Sequence, residues 1–335
     1  MSTATKKVLV VGTGSIGLRH ARLCQERGDL IVECCDSREA GIKEARKTLG
    51  DVRCWSDLTQ ALAGAPDIVV VATPHEHHES VAVAAMRAGA HVLCEKPMCH
   101  SAAAAATMLE AQKQTGRVLR IGYNMHFHPA ARRLKQCVDA GTLGTPALAR
   151  YVVGSYFTLE CSRSRHQRDL FGAIIMDYAH GLDLLLWLLK TAPAGVYARG
   201  IQAGNAELTS NPNVLSALFD YATPLLGEIQ INYLVKPQAG IIEVIGDEAS
   251  ACVDLGASEV IIRHRTRDTT EKETVPYERD DMYRAQFQAL LDVIDGKAAD
   301  MTDGVQGSVS VAMADAVLKS VRSGAREPVE VLPGA

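Results

Sequence analysis

Lys7-Val8-Leu9-Val10-Val11-Gly12-Thr13-Gly14-Ser15-Ile16-Gly17, running on into Leu18-Arg19-His20-Ala21-Arg22-Leu23, decides the fold of this 335-residue chain. The apolar run from Lys7 to Val11, rich in valine and bounded by glycine, reads as a buried strand, and the residues after Gly17 recur at helical period. Between them stands G-x-G-x-x-G in a strand–turn–helix setting. Gly12 permits the tight turn, Gly14 lets a pyrophosphate approach the backbone, and Gly17 lets helix and strand pack closely. The amides of Ser15 and Ile16 open a helix whose positive end favours phosphate. A glycine-rich loop in any α/β domain shares the bare pattern, so the flanking chain has to decide.

A second strand, Leu30 to Cys35, ends at Asp36, which lies 19 positions after Gly17. That is close to the spacing of a ribose-binding carboxylate, which accepts bonds from ribose hydroxyls and repels a 2′-phosphate. NAD is therefore the expected cofactor. Ser37 and Arg38 follow, and an arginine there can hold a 2′-phosphate, which keeps NADP as the alternative. The βα alternation then continues. Ala40 to Leu49 reads as helix, Val52-Arg53-Cys54 as a short strand, Ser56 to Leu62 as a helix capped by Ser56, and Asp67 to Ala72 as a buried parallel strand. Ala72-Thr73-Pro74 stands at the carboxyl end of that strand and leads through His75-Glu76-His77-His78 into a helix over Ser80 to Ala88. The histidines lack a matching carboxylate or cysteine spacing, and a helix N-terminus repels cations, so no metal is expected. His75 and His78 are better placed to border the nicotinamide ribose. His91 to Pro97, a helix from Ser101 to Thr115 and a strand from Arg117 to Gly122 complete a doubly wound parallel sheet over residues 1–123.

After residue 123 the character changes. Pro129 to Ala140 is an amphipathic helix. Alternating strands then follow without intervening helices: Ala147 to Ser155, Val214 to Tyr221, Leu226 to Val235, Ile241 to Ile245, Ala251 to Val253 and Glu259 to His264. Residues 124–335 are thus expected to form an α+β domain with a mostly antiparallel sheet. One helix, Ile174 to Leu189, interrupts the strands. Helices over Met282 to Ile294 and Val305 to Ser320 end the chain and can pack back on the first domain.

Composition narrows the function. A net charge of −4, a pI near 6.3 and 5% aromatic residues do not suit a nucleic-acid or anionic-membrane surface. The nine cysteines show no Cys-x-x-Cys spacing, which points to thiols that are mostly reduced and buried in a cytoplasmic protein. The N-terminal apolar run enters the glycine turn and so reads as a strand and not a signal peptide, and no apolar run approaches membrane-spanning length.

Two polar stretches carry the chemistry. In His91-Val92-Leu93-Cys94-Glu95-Lys96-Pro97 a buried strand ends in a charged pair stopped by proline, at the sheet edge where open α/β folds bind ligands. An exposed salt bridge is the plain alternative. In Asp177-Tyr178-Ala179-His180-Gly181-Leu182-Asp183, residues three apart share a helix face. A carboxylate bonded to one imidazole nitrogen of His180 leaves the other free as acid or base, and both Asp177 and Asp183 are in reach. The loop Cys161-Ser162-Arg163-Ser164-Arg165-His166-Gln167-Arg168 reads as a solvated basic loop or as a grip for a substrate carboxylate or phosphate through Arg163 and Arg165. Lys236, at a strand end, is a similar contact. Tyr123 and Asn124, after the sixth strand, are candidates for substrate or cofactor contact.

Together, Gly12-Thr13-Gly14-Ser15-Ile16-Gly17, Ala72-Thr73-Pro74, Glu95-Lys96-Pro97 and the Asp-x-x-His helix resemble the Gfo/Idh/MocA oxidoreductases, from about Lys7 to about Val329. The resemblance implies a Rossmann domain followed by an α+β domain whose open sheet forms homodimer or homotetramer contacts. It also implies reversible hydride transfer between NAD, or NADP, and a CH–OH carbon of a sugar or cyclic polyol. By motif matching, Lys96 takes the place beside the substrate hydroxyl, His180 that of the proton-transferring histidine and Asp177 that of the assisting carboxylate. Three features depart from the pattern: Asp177 and His180 are separated by two residues where many members have three, His75 replaces an asparagine, and His126 stands where many members carry arginine. The short spacing resembles a branch associated with nucleotide sugars. Two further readings follow, an imine, aldehyde or nucleotide-sugar reductase of the same fold, and a cofactor-binding sensor without turnover.

Overall fold

The computed structural model describes residues 5–161 and 166–332. The chain divides into two compact units, one of Met1–Asn124 with Arg279–Val311 and the other of Met125–Glu278 with Ala312–Pro333.

In the first unit, strands β1 (Lys6–Val11), β2 (Leu30–Cys35), β3 (Arg53–Trp55), β4 (Ile68–Val71), β5 (His91–Cys94) and β6 (Leu119–Ile121) form one sheet in the order β3-β2-β1-β4-β5-β6. Every pairing in it is parallel, with helices α1 (Ser15–Glu26), α2 (Glu39–Leu49), α3 (Leu58–Ala63), α4 (His78–Arg87) and α5 (Ala102–Thr115) on the connections. The doubly wound arrangement expected from the sequence is thus borne out. Burial on both faces explains why these strands are runs rather than alternations: Ile68, Val69, Val70 and Val71 are all fully buried. α3 starts two residues later than expected, because Asp57 is its cap and accepts the Gln60 amide at 2.8 Å. Ser101 caps α5, accepting the Ala104 amide at 3.2 Å.

Register sets up the ligand edge. Val11 pairs with Cys35 on one side and Val71 on the other, Val71 pairs with Cys94, and Cys94 with Ile121. The residues that follow, Asp36, Gly12, Ala72, Glu95 and Gly122, therefore leave the sheet in one row. Backbone bonds hold that row: Gly12 donates to Cys35, Ala72 to Val11 and Glu95 to Val71, each at 2.8 Å, and Gly122 to Cys94 at 2.7 Å.

The second unit opens with α6 (Pro129–Asp139) and β7 (Pro146–Gly154). Short helices α7 (Phe157–Cys161), α8 (His166–Asp169) and α9 (Ala173–Asp177) lead to α10 (His180–Leu189). Strands β8 (Gly195–Ile201), β9 (Val214–Asp220), β10 (Leu226–Asn232), β11 (Ala239–Gly246), β12 (Ala249–Asp254), β13 (Glu259–His264) and β14 (Thr269–Thr274) follow. After α11 (Arg279–Ile294) and α12 (Gly304–Ser323), the two-residue β15 (Glu327–Pro328) closes a sheet ordered β14-β13-β12-β11-β7-β10-β9-β8-β15. Only the β7–β10 pairing is parallel among the described strands of this sheet, so the mostly antiparallel expectation holds.

The differences have local causes. The helix expected over Ile174 to Leu189 is two helices, broken where Tyr178 takes φ −102° and ψ 26°. The strand expected to reach Val235 stops at Asn232, whose side-chain oxygen accepts the amides of Leu234 and Val235 at 3.0 and 3.1 Å. β14 was not anticipated, since Thr-Thr-Glu-Lys-Glu-Thr is exposed throughout and only pairing with β13 reveals it.

At the N-terminus of α6, His128 is almost fully buried beside the Tyr277 ring, 4.2 Å between centroids, and burial pushes its imidazole down to about 4. Unfolded, the same ring takes a proton near its ordinary value of 6.5, so its contribution is present above that pH and is lost as pH falls toward 4. Between pH 7.5 and 5 this loss amounts to about 2 kcal/mol. Chemical denaturation at the two pH values is expected to show a fall in stability larger by about that amount in the wild type than in His128→Phe. Equal falls in the two proteins would remove His128 as the cause.

Candidate active site

At the head of β1, Gly12 has φ +93°, and a Cβ there would stand 2.5 Å from the Ala72 carbonyl oxygen. A Cβ on Gly17 would stand 1.8 Å from the Gly12 carbonyl oxygen, so helix and turn touch backbone to backbone. Gly14 differs: a Cβ would meet no protein atom within 4 Å, and no side chain caps the helix it opens. Ser15 is exposed and Ile16 half-buried, and the first amides of the helix have no acceptor within it, at its positive end. Such a cradle fits a pyrophosphate.

Asp36 sits beside it, nearly buried. Its Oδ2 accepts the Thr13 amide at 3.0 Å and the Thr13 hydroxyl at 2.8 Å, and Oδ1 accepts the Arg38 amide at 2.9 Å. The Arg38 guanidinium folds back onto the same carboxylate, with Nε 3.1 Å from Oδ1. Burial would raise the carboxyl, but the Arg38 guanidinium and these amides outweigh it and hold it down to about 2. Ser37 is exposed at the turn. The pair leaves Asp36 negative and the Arg38 guanidinium engaged with it.

Further along the edge, the Thr73 hydroxyl is buried with no hydrogen-bond partner among the described residues, as an atom awaiting a ligand would be. Pro74 is exposed and His75 half-buried in the turn that follows. His78 takes a different place from the one expected. Its ring is buried, with Nδ1 2.9 Å from the Pro97 carbonyl oxygen and Nε2 2.9 Å from that of Thr73. Burial lowers its pKa against the pull of the two carbonyl oxygens, and a neutral ring, with one N–H, donates to only one of them. Lys96 is half-buried at the end of β5 and precedes a cis Pro97. The Glu95 carboxylate accepts the Lys96 amide at 3.3 Å with Oε2, while its Oε1 is 2.8 Å from His20 Nε2 of α1. Glu95 thus meets the backbone of Lys96, together with a histidine that the sequence had not singled out.

In the second unit, the break at Tyr178 separates the two aspartates. Asp177 ends α9, and His180 is the first residue of α10. The Asp177 Oδ2 accepts Gln167 Nε2 at 2.9 Å and the Tyr233 hydroxyl at 2.5 Å. Tyr233 is fully buried, and burial together with the neighbouring carboxylate pushes its phenol far above the ordinary range, so it remains a donor. Asp183 lies one turn into α10 with its Oδ2 2.8 Å from His126 Nε2, both residues buried. The His126 ring stacks on Trp187 at 4.4 Å and 14°. Asp183 therefore serves His126, the residue that departs from the family pattern. Gln167, Tyr233 and His126 come from three separate segments, and no spacing rule links them to Asp177 or Asp183.

Tyr123 and Asn124 are buried just after β6. Lys236 is exposed and 2.7 Å from Glu160, an arrangement of an ordinary surface ion pair. Arg163 and Arg165 lie outside the described residues. Among the described residues no group of three or more His, Cys, Asp or Glu side chains could hold a metal ion, and no helix is long and apolar enough to cross a membrane.

Residues 6–123 match the oxidoreductase family with an NAD-binding Rossmann fold, and residues 131–252 match the GFO/IDH/MocA C-terminal domain. An inositol 2-dehydrogenase of Acidothermus cellulolyticus is 28% identical, covering 95% of this chain and 93% of its own. A UDP-N-acetylglucosamine 3-dehydrogenase of Acidithiobacillus ferrooxidans is 25% identical with a TM-score of 0.81, covering 96% of this chain and 99% of its own. An oxidoreductase from Agrobacterium radiobacter, solved with NAD+, L-tartaric acid and magnesium, has the same fold at 17% identity and a TM-score of 0.85, covering 97% and 98%. With both halves matched, the chain belongs to the Gfo/Idh/MocA family of NAD-binding oxidoreductases.

Proposed function

We propose that the protein is an NAD-dependent dehydrogenase that oxidises a CH–OH carbon of a carbohydrate or cyclic polyol, with Lys96 and His180 handling the hydroxyl proton. The observation that carries this reading is the row at the sheet edge, where the glycine cradle, Asp36, Thr73 and Glu95-Lys96 leave the strands in register. The open Gly14 position and the uncapped start of α1 suit the pyrophosphate, and Asp36 suits the ribose hydroxyls of NAD. The nicotinamide supplies the hydride acceptor. Lys96 stabilises the oxygen as its proton leaves, because an ammonium ion beside a developing alkoxide lowers its energy. His180 takes the proton, and Asp177, oriented by Tyr233 and Gln167, is the assisting carboxylate.

A panel of inositols, hexoses, sugar acids and nucleotide sugars, each with NAD and with NADP, tests the reading through absorbance of the reduced nicotinamide. The expected result is NAD reduction with a polyol or sugar, and a clear preference over NADP. Turnover only with an imine or aldehyde and reduced cofactor would instead establish a reductase, and NAD binding without turnover on any compound a sensor.

The outer face of the second sheet is assigned to a second copy of this chain. Tyr197, Leu218 and Glu228 stand side by side across β8, β9 and β10, and Tyr197, Ile201, Leu218 and Leu226 are between 41% and 55% exposed. Such a patch of large apolar side chains is what an isologous sheet contact buries. Mass photometry of the enzyme used for the panel is expected to show dimers or tetramers, and a monomer throughout would end this assignment.

A further inference from the structure

We infer that His20 is a positioning residue for Lys96, acting through Glu95; the inference rests on the reading of Lys96 as the substrate-facing cation. His20 lies in α1, five residues after Ser15, the first residue of that helix. Its ring is 1% exposed and its Nε2 is 2.8 Å from Glu95 Oε1, while Oε2 of the same carboxylate accepts the Lys96 amide at 3.3 Å. A carboxylate has only acceptors, so Nε2 carries the proton and donates. The carboxylate is thus a bridge between the cofactor-binding helix and the backbone of Lys96.

The surroundings give that bridge little freedom. Gly122 packs against Glu95, and a Cβ on it would stand 2.9 Å from Oε1 and 3.0 Å from the Glu95 Cα. On the other side the Tyr283 ring of α11 meets the His20 ring edge-on at 5.3 Å. A buried carboxylate that loses one of its donors carries an uncompensated desolvation cost and moves toward another partner. The Lys96 amide moves with it. The plain alternative, a histidine that only fills the core, makes no distinction between ring nitrogens. The bridge does, because only a donor at the Nε2 position reaches Oε1.

Glutamine places its amide nitrogen near the position of Nε2, and asparagine falls short of it. The test compares His20→Gln and His20→Asn in the full chain with NAD bound. The rate of Lys96 acylation by acetic anhydride is read by mass spectrometry, and NADH affinity by fluorescence. His20→Asn is expected to speed Lys96 labelling and to lower turnover on the panel substrate by about five- to tenfold each, with NADH affinity within about twofold of wild type. His20→Gln is expected to stay within about twofold on all three. Glu95→Gln, which keeps the volume, is expected to reproduce the asparagine result even if that variant folds poorly. Labelling at the wild-type rate in both His20→Asn and Glu95→Gln overturns the proposal, as does a loss of NADH affinity that matches the loss of turnover. If Lys96→Ala leaves turnover intact, the role of Lys96 in the reaction fails, while the labelling contrast still decides whether His20 holds that residue.

Discussion

Lys96→Ala is expected to lower turnover on the panel substrate by about a hundredfold or more while NAD still binds. The reason is charge placement. Removing hydride from an alcohol carbon leaves an electron-rich oxygen, and the role proposed for Lys96, two residues after β5, is to set an ammonium group beside it. Alanine removes that charge without touching the glycine cradle, Asp36 or the Thr73 hydroxyl, which belong to other strands. His180→Ala is expected to cost a similar factor through the proton rather than the charge, since its ring begins α10 and Asp177 is already oriented by Tyr233 and Gln167. Steady-state rates together with NADH fluorescence separate chemistry from binding. Wild-type rates in either variant would remove that residue from the mechanism, and lost cofactor affinity would show that the site had been disturbed more widely.

Gly14→Ala and Gly17→Ala are expected to fail in different ways, although the two residues belong to one motif. The Gly14 Cβ meets no protein atom within 4 Å, so the alanine variant should melt close to the wild type. Its methyl group occupies the space a pyrophosphate needs, and NAD affinity is expected to fall by roughly a hundredfold, the cost of losing one or two charge-assisted hydrogen bonds. At Gly17 the methyl group would stand 1.8 Å from the Gly12 carbonyl oxygen, and neither backbone can yield without moving α1 from β1. There the melting temperature and NAD affinity should fall together, since overpacking of this kind costs about 1 to 3 kcal/mol or more. Thermal melts with and without NAD distinguish the cases. A Gly14→Ala protein that binds NAD normally would mean that the phosphates do not sit on the start of α1.

Much of this was legible because the first unit is built from local signals. Strand, turn and helix succeed one another within about a dozen residues around Gly12 to Gly17, and a buried parallel strand announces itself as an apolar run. The position of Asp36 follows from the same unit, as does the exit of Glu95-Lys96-Pro97 at a strand end. The second unit was read less closely where pairing rather than composition makes the structure. β14 is polar along its length, and β8, Gly-Val-Tyr-Ala-Arg-Gly-Ile, breaks its alternation with small residues. Helical spacing also misled at Tyr178. Asp177, His180 and Asp183 are three apart, but the break between α9 and α10 cancels the shared face that such spacing implies.

By itself, then, the sequence determined the doubly wound nucleotide-binding unit, the mostly antiparallel sheet after it, the family and the cofactor class, because each rests on contacts between residues near one another in the chain or on a periodic pattern. Tertiary structure alone decided who holds whom. It gave Glu95 to His20, Asp177 to Tyr233 and Gln167, Asp183 to His126, and the ring of His78 to two carbonyl oxygens. Buried polar groups must find partners wherever the fold brings them, and in every one of these pairings except Asp177 with Gln167 and His78 with Thr73 the partner is more than ten residues away. No local pattern encodes such a choice.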